Sequence, residues 1–87
     1  AINALTLALA KELGLSGITV NAICPGFINT KMNKQYTKQD VKAIVEETPL
    51  QRIGEPKDVA NAVEFLLSNK ASFITGQIIR VDGGWTL

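Results

Sequence analysis

The sequence predicts an α/β fold, the C-terminal portion of a doubly wound parallel sheet, in the order helix, strand, helical insertion, helix, strand. Two stretches rich in β-branched residues, 18–24 and 77–82, are separated by a long crossover that contains a helix. Such a crossover is how parallel strands are connected. Two strands cannot cover their own faces, so we expect the remaining strands of the sheet to precede Ala1.

The first helix is predicted over residues 1–13, where strong helix formers dominate and Gly14 is placed to end the helix as its C′ residue. Apolar residues occupy nearly its whole circumference, which is typical of a helix buried on more than one side. One side is expected to face the sheet. The other side is expected to face either a neighbouring helix of a larger domain or a partner subunit, and the pattern does not choose between them.

The first strand, 18–24, places apolar side chains on both faces. Asn21 lies within it and is expected to find a hydrogen-bond partner, because a buried amide without one is costly. Cys24, the single cysteine, is expected to be a buried and inert thiol.

Residues 29–48 are polar and charged, and we predict one or two short helices there. The three lysines Lys34, Lys38 and Lys42 stand at four-residue spacing. A row of this kind is most often a solvated face, and a docking patch for an acidic partner is the less favoured interpretation.

A second helix is predicted to begin at Gly54-Glu55-Pro56, since proline suits the first helical position, and to fade near residues 68–69. Its apolar stripe is predicted to consist of Val59, Val63 and Leu66, flanked by Ala62 and Leu67, with Phe65 off the stripe. The turn 75–76 then leads into the last strand, 77–82, which Gly83-Gly84 closes.

Composition limits the possible functions. The chain has 87 residues, enough for one small domain, and a formal net charge of +1, which offers no footprint for nucleic acid or an anionic membrane. It contains no histidine, so a histidine-based catalytic triad is excluded within it and no metal site is predicted. Residues 1–10 are too short to span a bilayer and lack the basic start of a signal peptide. We expect a cytoplasmic protein of which this chain, beginning in the middle of a helix, is a fragment.

The corner Pro25-Gly26 directly follows the predicted first strand. Ligands of open parallel sheets bind at the carboxyl ends of the strands. Proline stiffens such a turn, and glycine lets a flat ring approach the backbone. Taken alone, however, Pro-Gly after a strand favours a plain turn.

Four motifs in register change that interpretation. Residues 21–32 resemble the N-A-x-x-P-G-x-x-x-T-x-M segment of the short-chain dehydrogenase/reductases, and 49–56 resemble their P-L-x-R-x-G-x-P run. Residues 58–67 are similar to the next helix of that family, and 74–84 to its last strand with the terminal V-D-G-G. The resemblance covers essentially the whole chain and implies a Rossmann fold that binds NADP(H) or NAD(H).

The resemblance also implies roles for individual residues. Ile28 and Thr30 are expected to hold the nicotinamide carboxamide, mainly through backbone groups, with the Thr30 hydroxyl near the pyrophosphate. Pro25 and Gly26 are expected to form the floor beside the ring. Residues 29–48 match the family's substrate lid, and two of its members are candidate substrate contacts: Met32 and Tyr36.

The family's proton-transferring residues, a Ser followed by Tyr-x-x-x-Lys, have no counterpart here. Tyr36 is the only tyrosine, and Asp40 stands where the lysine would be. The resemblance places the catalytic pair just before Ala1, so no catalytic residue is assigned and the 87-residue chain alone is expected to be inactive. It also implies a homodimer or homotetramer that associates through residues 1–13 and 56–82.

The motifs most resemble those of 3-oxoacyl-[acyl-carrier-protein] reductases of fatty-acid synthesis, whose substrate is a carbonyl compound borne on a carrier. A sugar or polyol dehydrogenase of the same family and a non-catalytic fragment that serves only in oligomer assembly are the alternatives. The residues do not distinguish NAD from NADP, because that choice depends on a part of the fold that this chain lacks.

Overall fold

The computed structural model describes residues 1–86 and confirms the predicted order of elements. In chain order these are α1 (Ile2–Gly14), β1 (Ala22–Pro25), a 3₁₀ turn (Lys31–Asn33), α2 (Lys38–Glu47), α3 (Pro56–Leu67), a second 3₁₀ turn (Asn69–Ala71) and β2 (Ile78–Val81). None of these helices is of a length and apolarity that would carry it across a membrane.

The two strands pair in parallel, as predicted, with Ala22 opposite Ile78 and Pro25 opposite Val81. Both are shorter than the predicted strands 18–24 and 77–82. The predicted first strand is wrong at both ends, since its first four residues lie outside β1 and β1 continues through Pro25. Proline is tolerated there because it occupies the end of the strand, where one missing donor costs little.

Side chains replace the ladder just before β1. The Val20 N–H donates to the Thr75 hydroxyl at 2.9 Å, and the Gln77 N–H donates to the Asn21 side-chain oxygen at 3.0 Å. The Asn21 amide also donates to the Ile74 carbonyl at 3.2 Å. The expectation that Asn21 finds partners is therefore confirmed, whereas Cys24 is half-buried and not fully buried.

The end of α1 differs from the prediction, because Gly14 is the last helical residue and not the C′ glycine. The Ile18 N–H donates to the Leu13 carbonyl at 3.2 Å, and the Gly17 N–H donates to the Gly14 carbonyl at 2.9 Å. These two bonds form a Schellman motif in which Gly17, with φ of 75°, occupies the left-handed position. The left-handed C′ position needs a glycine, and Gly17 is the one that meets this need.

The described residues enclose very little apolar core. Ala10 and Ala71 are the buried hydrophobic residues among them, and Thr6 is the buried polar residue of α1. Within residues 1–86, Ile2 and Leu5 of α1 are 64% and 59% exposed, so burial of the second side of α1 by another helix or a partner subunit stays a prediction. A two-stranded sheet is too narrow to cover a helix whose whole circumference is apolar.

The stripe predicted on α3 is only partly covered. Val59 and Leu66 are half-buried, whereas Val63 and Leu67 are exposed, as is Phe65 off the stripe. The Cα radius of gyration is 15.4 Å, against about 12 Å for a compact domain of this length. Both helices therefore present apolar surface that these residues do not cover.

The insertion was predicted to form one or two short helices, and it forms the 3₁₀ turn Lys31–Asn33 and α2. The Thr37 hydroxyl accepts the Asp40 N–H at 3.0 Å and the Asp40 carboxylate accepts the Thr37 N–H at 2.9 Å, which is a reciprocal capping box that starts α2. The Gln51 side-chain amide donates to the Thr48 carbonyl at 2.8 Å beyond the end of α2. The lysines of the predicted solvated row are all exposed: Lys34, Lys38 and Lys42.

Candidate functional site

The corner Pro25-Gly26 lies at the carboxyl end of the parallel sheet, where ligands of such sheets bind. Pro25 is the last residue of β1, and the Gly26 N–H donates to the Val81 carbonyl at 3.0 Å. The candidate site therefore lies at the last paired residues of the two strands, Pro25 and Val81, and at Gly26. We call this edge of the sheet the rim.

Gly26 is required by packing within the rim. A Cβ atom on Gly26 would lie 2.7 Å from the Cβ and 2.8 Å from the Cα of Asp82. The space that a side chain at position 26 would need is therefore occupied by Asp82, the residue that follows β2. This packing is a reason for glycine at position 26 that the sequence does not indicate, and the predicted place of Gly26 beside a flat ring stays a prediction.

The segment after the corner runs beside residue 54 in an isolated parallel bridge between Ile28 and Gly54. The Asn29 N–H donates to the Gly54 carbonyl at 2.8 Å, and the Gly54 N–H donates to the Phe27 carbonyl at 2.9 Å. In extended backbone, successive N–H groups alternate in direction. Since the Asn29 N–H is directed at residue 54, the N–H groups of Ile28 and Thr30 are directed to the opposite side.

Those two N–H groups are available to a ligand. Within residues 1–86, neither the Ile28 N–H nor the Thr30 N–H has an acceptor, and the Thr30 hydroxyl makes no hydrogen bond. The Ile28 carbonyl accepts a hydrogen bond from the side-chain amide of Asn33, which holds the 3₁₀ turn over this segment. The structure thus combines two parallel backbone donors and a free hydroxyl at the predicted cofactor segment.

The two candidate substrate contacts lie in different surroundings. The Tyr36 ring meets the Phe27 ring edge-on, with centroids 5.0 Å apart and planes at 88°. Met32 is 84% exposed. The structure therefore brings Tyr36 to the rim and leaves Met32 at the surface of the 3₁₀ turn.

A small cavity of about 20 Å³ lies between the segment 27–28 and the end of β2. It has room for about one water molecule. Neither Pro25 nor Thr30 lines it. The cavity is therefore a packing gap beside the rim and is too small for a cofactor.

An arginine clamp fastens the next loop to α3. The Arg52 guanidinium donates to both carboxylate oxygens of Asp58, at 2.9 and 3.1 Å, and the Glu55 N–H donates to the same carboxylate at 2.7 Å. The hydrogen bonds from Arg52, followed by that from the Glu55 N–H, lower the pKa of Asp58 to about 2. Asp58 thus caps α3 and holds the loop that contains Gly54.

The turn after β2 joins the rim to the base of the insertion. The Asp82 carboxylate accepts the Gly84 N–H at 2.8 Å and the Thr86 hydroxyl, and these bonds lower the pKa of Asp82. The Leu50 N–H donates to the Gly83 carbonyl at 3.1 Å. A Cβ atom on Gly83 would lie 2.9 Å from the Thr48 methyl group, and a Cβ atom on Gly84 would lie 2.8 Å from the Pro49 ring.

Comparison with known proteins identifies the family. The model of the family described as enoyl-(acyl carrier protein) reductase matches residues 1–86. The chain belongs to the short-chain dehydrogenase/reductase family.

Individual members of this family are similar in sequence and in structure. The chain is 50% identical over 80 residues to 3-oxoacyl-[acyl-carrier-protein] reductase FabG of Rickettsia felis, covering 92% of this chain and 33% of that protein. It is 47% identical over 83 residues to a 3alpha-hydroxysteroid dehydrogenase of Mediterraneibacter gnavus, covering 95% of this chain and 33% of that protein. The structure of 4-hydroxyisoleucine dehydrogenase complexed with NADH matches with a TM-score of 0.91 at 38% identity, over 98% of this chain and 36% of that chain.

The chain spans about a third of the length of the curated relatives that it matches. The predicted fold class is confirmed, since high structural similarity to Rossmann-fold short-chain dehydrogenase/reductases accompanies the parallel pairing of β1 and β2.

Sequence reasoning about this short-chain dehydrogenase/reductase missed both networks beside the rim. Arg52 enters the sequence analysis only as a letter of the motif in residues 49–56, and Asp58 only as the first residue of the segment 58–67. A signal was present, because an acidic residue at the third position of a helix is half of a capping box. The partnership with Arg52 carries no comparable local pattern, because it depends on how the loop folds back on α3.

The clamp predicts a pH dependence of stability. The pKa of Asp58 in the folded chain is about 2, below its ordinary value of 3.8, so folding favours the carboxylate. Its stabilising contribution is complete above about pH 5 and is lost as the pH falls from about 4 towards 2. Urea unfolding across this range should show a smaller acid-induced loss of stability for Asp58→Asn than for the wild type.

The matched control for that prediction is Asp40→Asn. Asp40 caps α2 with the same geometry but has no arginine partner among residues 1–86. If both variants followed one pH profile, the Arg52 clamp would not be the origin of the effect.

Proposed function

We propose that this chain supplies the nicotinamide-binding rim and the substrate lid of an NAD(P)(H)-dependent carbonyl reductase, with 3-oxoacyl-[acyl-carrier-protein] as the favoured substrate. The free N–H groups of Ile28 and Thr30 carry the proposal. A carboxamide presents one carbonyl acceptor, and the two backbone donors on one side of this segment suit such a group. Family membership and the similarity to an enzyme in complex with NADH support the same assignment.

Each predicted cofactor contact then has a defined task. The Ile28 N–H donates to the carboxamide oxygen, and the Thr30 hydroxyl donates to a pyrophosphate oxygen. The Pro25 ring and the backbone of Gly26 form the floor beside the nicotinamide. When bound, the cofactor supplies or accepts the hydride, and these residues orient it and shield it from water.

Residues 1–87 are proposed to be the C-terminal part of a single Rossmann domain, with residues 29–48 as its lid. The residues that transfer the proton are assigned to the rest of the protein. Tyr36 lies in the lid, and the fourth residue after it is Asp40 and not the lysine of the family's Tyr-x-x-x-Lys motif. The exposed apolar side chains of α1 and α3, such as Ile2, Leu5 and Leu67, support association as a homodimer or homotetramer. A cytoplasmic location accords with the single unpaired cysteine.

A second candidate is a dehydrogenase that acts on a ring alcohol. It is favoured by the 47% identity to a 3alpha-hydroxysteroid dehydrogenase, which is close to the 50% identity to FabG. The chemistry at the rim is the same for both, and the lid around Met32 and Tyr36 would determine the substrate.

Steady-state kinetics of the full-length protein that carries these residues tests the proposal. We expect oxidation of NADPH or NADH with an acetoacetyl thioester, and slower turnover of hydroxysteroids, sugars and polyols. Thr30→Val keeps the shape of the side chain and removes its hydroxyl, so the KM for the cofactor should rise about tenfold. The purified 87-residue polypeptide is the negative control.

Thr19→Val is the matched control, because Thr19 is exposed and precedes β1 at the opposite end of the sheet. It should leave the KM for the cofactor unchanged. A full-length protein that reduces none of the carbonyl substrates would contradict the proposed function, and an unchanged KM in Thr30→Val would contradict the role of Thr30.

A further inference from the structure

Phe27 has no role in the proposed cofactor contacts, yet it lies between Gly26 and Ile28 at the centre of the rim. Both aromatic pairs found among residues 1–86 involve its ring. One is the edge-on contact with Tyr36 at 5.0 Å, and the other is an edge-on contact with Trp85 at 6.4 Å and 90°. Phe27 therefore touches both the start of the lid and the tail after β2.

Trp85 is held at both ends. Its backbone N–H donates to the Asp82 carbonyl at 3.0 Å, within the turn that the Asp82 carboxylate organises. Its indole N–H donates to the Glu47 carboxylate at 3.4 Å, at the last turn of α2. The indole therefore spans from the rim to the lid helix.

The lid helix has little else to fix its position. No residue of α2 is buried. Its C-terminal end is joined to the tail through Thr48, Pro49 and the hydrogen bond from the Leu50 N–H to the Gly83 carbonyl. The turn before its N-terminal end meets the rim through Tyr36 on Phe27. The position of α2 thus depends on contacts at its two ends. Each end has a contact with a residue that packs on Phe27: Tyr36 before the N-terminal end, and Trp85 at the C-terminal end.

We propose that Phe27 and Trp85 are positioning residues that couple the cofactor segment 28–30 to the lid. The proposal rests on the proposed function. Phe27 is covalently continuous with Ile28, so a ligand that orders residues 28–30 also orders the Phe27 ring. That ring then favours one placement of Tyr36 and Trp85, and Trp85 holds α2 through Glu47. By linkage, a lid held in place strengthens cofactor binding by the same factor.

Two measurements on the full-length protein test this coupling. The first is the dissociation constant of NADH, and the second is amide hydrogen exchange in residues 38–47 without and with NADH. Trp85→Ala should weaken NADH binding by about 3- to 10-fold, the scale of a lost aromatic pair. It should also raise the exchange rate of α2 in both states and raise the KM for the cofactor more than it lowers kcat.

Conservative variants separate coupling from a general loss of stability. Trp85→Phe keeps the ring contact with Phe27 and removes the indole N–H, so α2 should exchange faster than in the wild type and NADH binding should be weakened, both to a smaller extent than in Trp85→Ala. Phe27→Leu should reproduce the weaker NADH binding. Leu15→Ala is the control, because Leu15 is 97% exposed, belongs to neither aromatic pair and lies outside the predicted association surfaces 1–13 and 56–82.

The outcomes distinguish the two proposals. A wild-type protein that binds neither NADH nor NADPH contradicts the proposed function, whereas faster exchange of α2 in Trp85→Ala would still show that Trp85 holds the lid. If the wild type binds NADH and Trp85→Ala binds it equally well with unchanged exchange in residues 38–47, the coupling inference is overturned and the proposed function stands.

Discussion

Replacing Gly84 with alanine is expected to destabilise the protein by about 3 kcal/mol and to detach the base of the lid. Gly84 has φ of 89°, which an alanine adopts only under strain. The new Cβ would also lie 2.8 Å from Cγ and 3.2 Å from Cβ of Pro49. Because a proline ring is rigid, the chain at residues 48–50 has to move away from the tail.

Gly17→Ala separates the cost of the positive φ from the cost of the close contact with Pro49. Gly17 also has a positive φ, of 75°, but a Cβ there would meet no atom within 4 Å. Urea unfolding of this variant should therefore show the backbone strain alone, about 1 kcal/mol. If Gly84→Ala and Gly17→Ala were equally destabilising, close packing against Pro49 would not be the reason for a glycine at position 84.

Replacing Gly26 with alanine is expected to cost about 3 kcal/mol or more, because it forces the rim of the sheet apart. The added Cβ would lie 2.7 Å from the Cβ and 2.8 Å from the Cα of Asp82. A flexible side chain would rotate away from such a contact, but the main chain of β2 cannot move without breaking the hydrogen bond from the Gly26 N–H to the Val81 carbonyl. The variant should unfold at lower urea concentration and lose affinity for NADH.

Gly14→Ala is the control for the chemical change itself. Gly14 is helical, and a Cβ there would have open space around it, so this variant should be neutral or up to about 1 kcal/mol more stable than the wild type. A Gly26→Ala protein as stable as the wild type would contradict the packing argument.

Gly83 and Gly84 show a role of the V-D-G-G motif, residues 81–84, that its sequence does not indicate. A V-D-G-G sequence at the end of a strand is typical of a turn, and nothing in it indicates a partner. In the structure, Gly83 and Gly84 pack closely against Thr48 and Pro49. The Asp82 carboxylate fixes this turn by accepting a hydrogen bond from the Gly84 N–H. The motif thus joins the proposed lid to the sheet, which is why we expect its substitution to affect both stability and cofactor binding.

The sequence by itself determined what depends on neighbours along the chain. The start of α3 at Pro56, the break after α1 and the short helices of the insertion follow from capping residues, glycine positions and periodicity. The same local patterns, in register, indicated the family. They are encoded within a few residues of where they act, so they can be read without knowing where distant segments lie.

Only the tertiary structure decided which distant groups meet. It assigned the face of Gly26 to Asp82, the carboxylate of Asp58 to Arg52, and the ring of Phe27 to Tyr36 and Trp85. It also showed that α1 and α3 leave apolar surface uncovered within residues 1–86. The physical reason is that such contacts depend on the docking of segments up to about sixty residues apart, and close packing, unlike helical or strand periodicity, leaves no local pattern in the chain.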